Sequence, residues 1–215
     1  MNPQLVGLLA ALYQEGVAHD AAQPDRLLKH RNLEPATAEL LSLLVRVTRA
    51  QRVVEIGTAN GYSTIWLADA VADTGGQLTS VDTATSDAAR SNLARADRVQ
   101  PDLAKRVEFR QDDGGAHLAQ LSAGSVDLLF LDAERIEYPR WWPDPLRVLR
   151  PGAVLAIDNA LSHADELAPF LALLDGEAAL FRTTVAVGKG LHLAWCPKAS
   201  PGSSHPREKL DPQPA

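Results

Sequence analysis

The segment Glu55-Ile56-Gly57-Thr58-Ala59-Asn60-Gly61-Tyr62-Ser63 constrains this chain most, because it describes a strand that stops abruptly and becomes a helix. Val53, Val54 and Ile56 supply the short apolar run of a strand buried on both faces. Gly57 and Gly61 let the backbone turn and approach a ligand with no Cβ in the way. The apolar content from Tyr62 to Val71 has the length of a helix, whose first N–H groups would point into the same crevice. Glu55 puts a carboxylate at the carboxyl end of the strand, where a nucleotide-type ligand would lie. The spacing is Gly-x-x-x-Gly rather than the Gly-x-Gly-x-x-Gly of a dinucleotide site, which argues against a nicotinamide cofactor.

From Arg52 onward the pattern of strand, turn and helix repeats. Strands are expected at 52–56, 77–82, 107–110, 126–131 and 153–157, and helices at 62–71, 87–99, 116–121, 139–149 and 164–174. Such alternation calls for a parallel sheet with helices on both faces. Two last strands, 181–187 and 191–196, flank Gly188-Lys189-Gly190 and read as an antiparallel hairpin added to the sheet. Ahead of the alternation, Leu5, Leu8, Leu9 and Leu12 fall at helical spacing. Glu34-Pro35 opens a second helix with Leu40, Leu41, Leu44 and Val45 on one face. The expectation is one α/β domain over 1–197, with N-terminal helices within 1–50. Residues 198–215 are rich in Pro, Ser, Gly and charge, and are expected to form a disordered tail.

In a sheet of this kind ligands bind outside the carboxyl ends of the strands. Glu55, Asp82, Asp112-Asp113, Asp132 and Asp158-Asn159 end the five expected parallel strands in turn. Five consecutive strands delivering an acid to one edge is a site pattern rather than a set of solvated turns.

Composition narrows the partners. A chain of 215 residues with 46% hydrophobic content can bury one sizeable core. A net charge of -6 opposes binding through phosphate neutralisation, so no nucleic-acid partner is expected. No apolar run approaches the roughly 20 residues of a membrane span, and Glu15, His19 and Asp20 interrupt any secretory leader. The single cysteine, Cys196, excludes an internal disulfide framework. A cytoplasmic protein is the expectation.

With these residues in view, positions 34–197 resemble the class I S-adenosylmethionine-dependent O-methyltransferases. The resemblance is to the small divalent-metal-dependent group that includes catechol and caffeoyl-coenzyme-A O-methyltransferases. The blocks that carry it are Val54-Glu55-Ile56-Gly57-Thr58 with Gly61-Tyr62-Ser63-Thr64, Phe130-Leu131-Asp132-Ala133 with Tyr138-Pro139, Leu149-Arg150-Pro151-Gly152-Ala153, and Asp158-Asn159. The resemblance implies a Rossmann-like fold, a mostly parallel seven-stranded sheet, and S-adenosylmethionine as cofactor. Gly57, Thr58, Gly61 and Ser63 would hold its methionine part beside Glu55 and Tyr62. Asp82 would clasp the ribose hydroxyls, and Asp113 with Gly114 would lie by the adenine. Asp132, next to the cofactor, would join Asp158 and Asn159 as ligands of Mg²⁺, Mn²⁺ or Ca²⁺. Two carboxylates and an amide oxygen are hard donors that suit such ions better than zinc. The implied reaction is methyl transfer to a hydroxyl of a small catechol-like acceptor, and the implied assembly is a homodimer.

The group commonly has Gly where this chain has Asp112 and Ala where it has Gly114, but a third departure bears on the chemistry. A lysine usually stands three residues after the first metal aspartate, and here that residue is Arg135. Arginine stays protonated, so it cannot serve as the base, although it can stabilise a phenolate or an acidic substrate group. Deprotonation then falls to the metal, to water, or to His163. Alternatives stay open: a metal-independent methyltransferase, or a cofactor-binding protein without transferase activity. Trp141 and Trp142 suit either the acceptor pocket or helix packing. Lys29, His30 and Arg31 read as a solvated basic turn, and Cys196 as core.

Overall fold

Helix α1 (Pro3–Ala22) starts where the Asn2 side chain accepts a hydrogen bond from the Gln4 N–H, with Pro3 fixing the first turn. It buries Leu5, Leu9 and Leu12, and Gln23-Pro24-Asp25 ends it. Helix α2 (Pro35–Thr48) also opens on a proline, and it buries Ala38, Leu41 and Val45. The computed structural model describes residues 1–25, 28–84 and 86–197. The tail expected at 198–215 lies outside the described residues.

The sheet follows in seven strands: β1 (Arg52–Ile56), β2 (Gln77–Asp82), β3 (Val107–Gln111), β4 (Val126–Leu131), β5 (Leu149–Ile157), β6 (Phe181–Val185) and β7 (Leu191–Trp195). Their spatial order is β3-β2-β1-β4-β5-β7-β6. The first five run parallel; β7 is antiparallel to both β5 and β6. The order reverses at β1, which pairs β2 on one side (Ile56 with Val81) and β4 on the other (Ile56 with Leu131). That reversal opens a crevice above the carboxyl ends of β1 and β4.

Alternating strand residues divide the core. Val53, Leu78, Leu128 and Phe130 meet α1, α2, α3 (Tyr62–Thr74) and α4 (Asp87–Val99) on one face. Val54, Ile56, Val81, Leu129 and Leu131 meet α5 (Gly114–Gln120) and α7 (Ala164–Asp175) on the other. Both faces are therefore covered, as a central parallel sheet requires.

Three expectations are corrected. The single helix expected at 139–149 does not form. A 3-10 turn (Arg135–Trp141) and the one-turn α6 (Asp144–Arg147) stand there instead, because Pro139, Pro143 and Pro145 each remove a helical N–H donor. The strand expected to start at 153 starts at Leu149, and β5 bulges where its pairing steps from Leu149 with Val126 to Val154 with Leu128, which accommodates Pro151 and Gly152. Helix α5 starts at Gly114, two residues early, because the Asp113 carboxylate accepts the Ala116 N–H and caps the turn.

Candidate active site

The turn after β1 is set by sterics. Gly57 has φ 108°, and a Cβ there would fall 2.2 Å from the carbonyl oxygen of Asp132. The glycine loop and the exit of β4 thus touch backbone to backbone, which no other residue type permits. Gly61 (φ 79°) is the N-cap residue of α3 and has no side chain to offer, and the Tyr62 N–H donates instead to Asn60 Oδ1 at 3.2 Å. The Asp82 carboxylate, at the end of β2, accepts hydrogen bonds from the N–H groups of Thr58 (2.9 Å) and Ala59 (3.1 Å). It therefore holds the loop in shape as well as facing the crevice.

Glu55 points away from that crevice. Its carboxylate is fully buried between the sheet and α3, where it accepts hydrogen bonds from Ser63 (2.5 Å), Thr64 (2.6 Å) and Ser80 (2.6 Å). Burial pushes its pKa up to about 7 despite these three donors. Glu55 supports Ser63 from below.

A cavity of about 710 Å³ spans the crevice. Gly57, Thr58, Tyr62, Ser63, Asp82, Asp113, Gly114 and Asp132 line it, together with Arg135, Asn159 and His163. Glu55, Gly61 and Asp158 are the expected site residues outside its lining. At the Asp113 end the Trp141 ring lies on the start of α5. A Cβ on Gly115 would sit 2.3 Å from Trp141 Cδ1, and one on Gly114 2.9 Å from Trp141 Cη2. Trp141 both packs against Tyr138 (centroids 5.0 Å apart) and floors the cavity. Trp142 instead packs edge-on to Phe170.

At the ends of β4 and β5, Asn159 stands between two carboxylates. Its Nδ2 donates to Asp158 Oδ2 at 2.8 Å and reaches Asp132 Oδ1 at 3.4 Å. Asp158 is 3% exposed, and its Oδ1 has no hydrogen-bond partner among the described residues. Burial, with Asp158 and Glu55 nearby, raises the pKa of Asp132 well above the usual carboxylate range, and burial raises that of Asp158. The donor set fits a hard divalent cation, with an orphaned carboxylate oxygen and an amide whose oxygen and nitrogen exchange places on rotation. Among the described residues no three His, Cys, Asp or Glu side chains gather as a metal site, so an ion here would depend on the Asn159 oxygen.

The remaining wall mixes cations with carboxylates, among them Glu134, whose Oε1 lies 3.1 Å from Arg31 Nη1. Arg135 is 4% exposed, and its Nε and Nη2 both donate to Glu166 Oε2 on α7 at 2.8 Å. His163 is the N-cap residue of α7, its Nδ1 2.8 Å from Ser162 Oγ. Lys29, His30 and Arg31, expected as a solvated turn, line the cavity instead. The Asp20 carboxylate accepts the N–H groups of His30 (2.6 Å) and Arg31 (2.8 Å) and fixes that turn along the cavity. Lys189 was not singled out by the sequence as a site residue, yet it too lines the cavity. The only sequence signal for it was a lysine set between two glycines in the hairpin link. Cys196 is half-buried against the α7 side of the core.

Comparison with known proteins agrees with this geometry. The family profile described as O-methyltransferase matches residues 12–170. A catechol O-methyltransferase of Mycobacterium tuberculosis is 34% identical over 172 residues, covering 78% of this chain and 73% of the relative. A catechol O-methyltransferase of Niastella koreensis is 32% identical over 134 residues, covering 60% of this chain and 58% of the relative. Among solved structures, an O-methyltransferase of Bacillus cereus in complex with S-adenosylhomocysteine superposes with a TM-score of 0.69, at 25% identity over 88% of this chain and 90% of that one. A Streptomyces achromogenes O-methyltransferase involved in tomaymycin synthesis, in complex with S-adenosylmethionine, gives a TM-score of 0.66 at 27% identity, over 86% and 96% of the two chains. Matched along most of its length, with the glycine turn and acid-tipped strands converging on one cavity, the chain belongs to the O-methyltransferase family.

Proposed function

We propose that the protein moves the methyl group of S-adenosylmethionine to a hydroxyl of a small catechol-like acceptor, with a divalent cation held by Asp132, Asp158 and Asn159. The observation that carries the reading is the Asp158-Asn159 pair beside Asp132, at the edge of the same cavity as the glycine turn. Two carboxylates sharing one amide, with Asp158 Oδ1 unpartnered, form a concentrated negative site that a cation would neutralise. Relatives named catechol O-methyltransferase support the acceptor class. A bound Mg²⁺, Mn²⁺ or Ca²⁺ would supply a Lewis acid for two vicinal oxygens.

The chain's own groups have matching tasks. Gly57, Thr58, Tyr62 and Ser63 take the amino-acid part of the methyl donor. Asp82 takes the ribose through the oxygen not engaged by Thr58 and Ala59. Asp113 and Gly114 flank the base, with Trp141 beneath. Methyl transfer then depends on holding oxygen, carbon and sulfur in line, in a chamber that excludes competing water. A homodimer and a cytoplasmic setting complete the proposal. Among the described residues no helix is long and apolar enough to cross a membrane, and α1 leaves Val6 and Val17 exposed.

The test is methylation of a catechol panel with Mg²⁺ and with EDTA, in the wild type and in Asp158→Ala. Activity lost in EDTA and in the variant, with S-adenosylhomocysteine binding retained, is expected. Undiminished turnover in both would favour metal-independent transfer, and no product with any phenol would favour a binding protein without transferase activity.

A further inference from the structure

The β6–β7 link brings a lysine to the cavity wall through its backbone. The Lys189 carbonyl accepts the N–H groups of Leu161 and Ser162, each at 3.0 Å, and the Gly190 carbonyl accepts that of Ala160 at 2.9 Å. The link is thus stitched to the residues that directly follow Asp158-Asn159. Its glycines permit the seating. Gly188 (φ 54°) would place a Cβ 2.4 Å from Thr37 Oγ1, and Gly190 (φ 94°) would place one 2.5 Å from Leu161 Cγ. The ammonium is held in turn by Glu34, the N-cap residue of α2, with Nζ 2.9 Å from Oε1. An ammonium has three donors, and Glu34 takes one.

Arg135 lines the same cavity, but its Nε and Nη2 are turned to Glu166. Lys189 lines the same cavity as Asp132, Asn159 and His163. Burial alone would lower its pKa, but the hydrogen bond to Glu34 and the charges of Asp158 and Asp132 raise it above the ordinary lysine value. It is a fixed positive charge and not a proton acceptor.

We propose that Lys189 contacts the attacking oxygen of the acceptor and holds it in its ionised form, a role that rests on the methyl-transfer reading above. The hydroxyl proton leaves to solvent water. The oxygen lone pair forms the new O–CH₃ bond, and the S–CH₃ bond breaks with its electron pair left on sulfur. Lys189 stays protonated throughout. The acceptors this favours are phenols, which ionise readily beside an ammonium, rather than aliphatic alcohols.

The decisive measurement is the ionisation of nitrocatechol bound to the protein with S-adenosylhomocysteine, followed by its visible absorbance in EDTA so that divalent ions are removed. Lys189→Met raises the bound phenol's pKa by about one unit or more, whereas Glu34→Gln, which removes the opposing charge, lowers it. In turnover, Lys189→Met loses roughly 10–100-fold in kcat with plain catechol, with little change in KM. Most of that loss is recovered with nitrocatechol, which is already ionised, and Lys189→Arg retains the wild-type acid limb of the pH profile. A purely structural lysine would move both variants the same way or leave the bound pKa unchanged, and either result overturns the assignment. A wild type that methylates phenols while Lys189→Met keeps the bound pKa defeats the Lys189 role alone. A wild-type complex that binds phenol only with Mg²⁺ defeats the Lys189 role alone, and one that binds none with Mg²⁺ or in EDTA defeats this role and the reading beneath it together.

Discussion

Arg135 and Glu166 form an ion pair of unequal burial: the arginine side chain is 5% exposed and the glutamate 39%. The guanidinium is therefore the dependent partner, because it has little water to turn to if the carboxylate is removed. Glu166→Ala should lower stability by about 1–2 kcal/mol, less than a fully buried pair would cost because the glutamate side faces solvent. The urea midpoint reads this directly, and S-adenosylhomocysteine affinity should stay at the wild-type value. An unchanged midpoint would mean that the pair contributes no more than an exposed one.

Glu55 makes stability depend on pH in an unusual direction for a carboxylate. Its pKa in the folded state, about 7, lies above the ordinary value of 4.5, so the folded chain keeps a proton that the unfolded chain has released. Stability from this group is full below the ordinary value and is lost as pH rises through about 7, by on the order of 3 kcal/mol. Glu55→Gln should flatten that descent between about pH 5 and about pH 8 in denaturant titrations. The same slope in both proteins would remove the buried proton from the account.

Gly57→Ala tests the contact between the first loop and β4. The new methyl would meet the Asp132 carbonyl at 2.2 Å, on a backbone whose φ of 108° already disfavours a side chain. Calorimetry should show S-adenosylhomocysteine affinity falling at least about tenfold, with folding weakened by roughly 1–3 kcal/mol. Retained affinity would show that the two loops separate at no cost to the ligand.

Asp20→Ala should loosen the turn along the cavity, since the carboxylate accepts the N–H groups of both His30 and Arg31. The expected result is a raised KM for the acceptor with cofactor affinity unchanged, and faster amide exchange at His30 and Arg31. A cofactor defect instead would mean that the turn braces the other end of the cavity.

The sequence specified the sheet well because its signals are local. β1, β2 and β4 have the expected bounds, since short apolar runs ending in an acid or a glycine turn leave little freedom. It specified 139–149 poorly: apolar spacing there suggested a helix, and three prolines overrode it. Asp82, Asp113, Asp132 and Asn159 were legible as cavity residues because strand ends in this topology share one edge. The inward turn of Glu55 and the presence of Lys189 were not. Both depend on contacts across the fold, Glu55 on Ser80 and Lys189 on Leu161 and Ser162, that no spacing rule encodes.

The anchoring of the 186–190 link means that the antiparallel appendix is more than a way to finish the sheet. A chain cut before β6 would keep all five parallel strands and every acid at their tips, yet the segment after Asn159 would lose the carbonyl scaffold it rests on. Changing the length of that short hairpin connection should accordingly reshape the Lys189 side of the cavity while leaving the glycine turn after β1 in place.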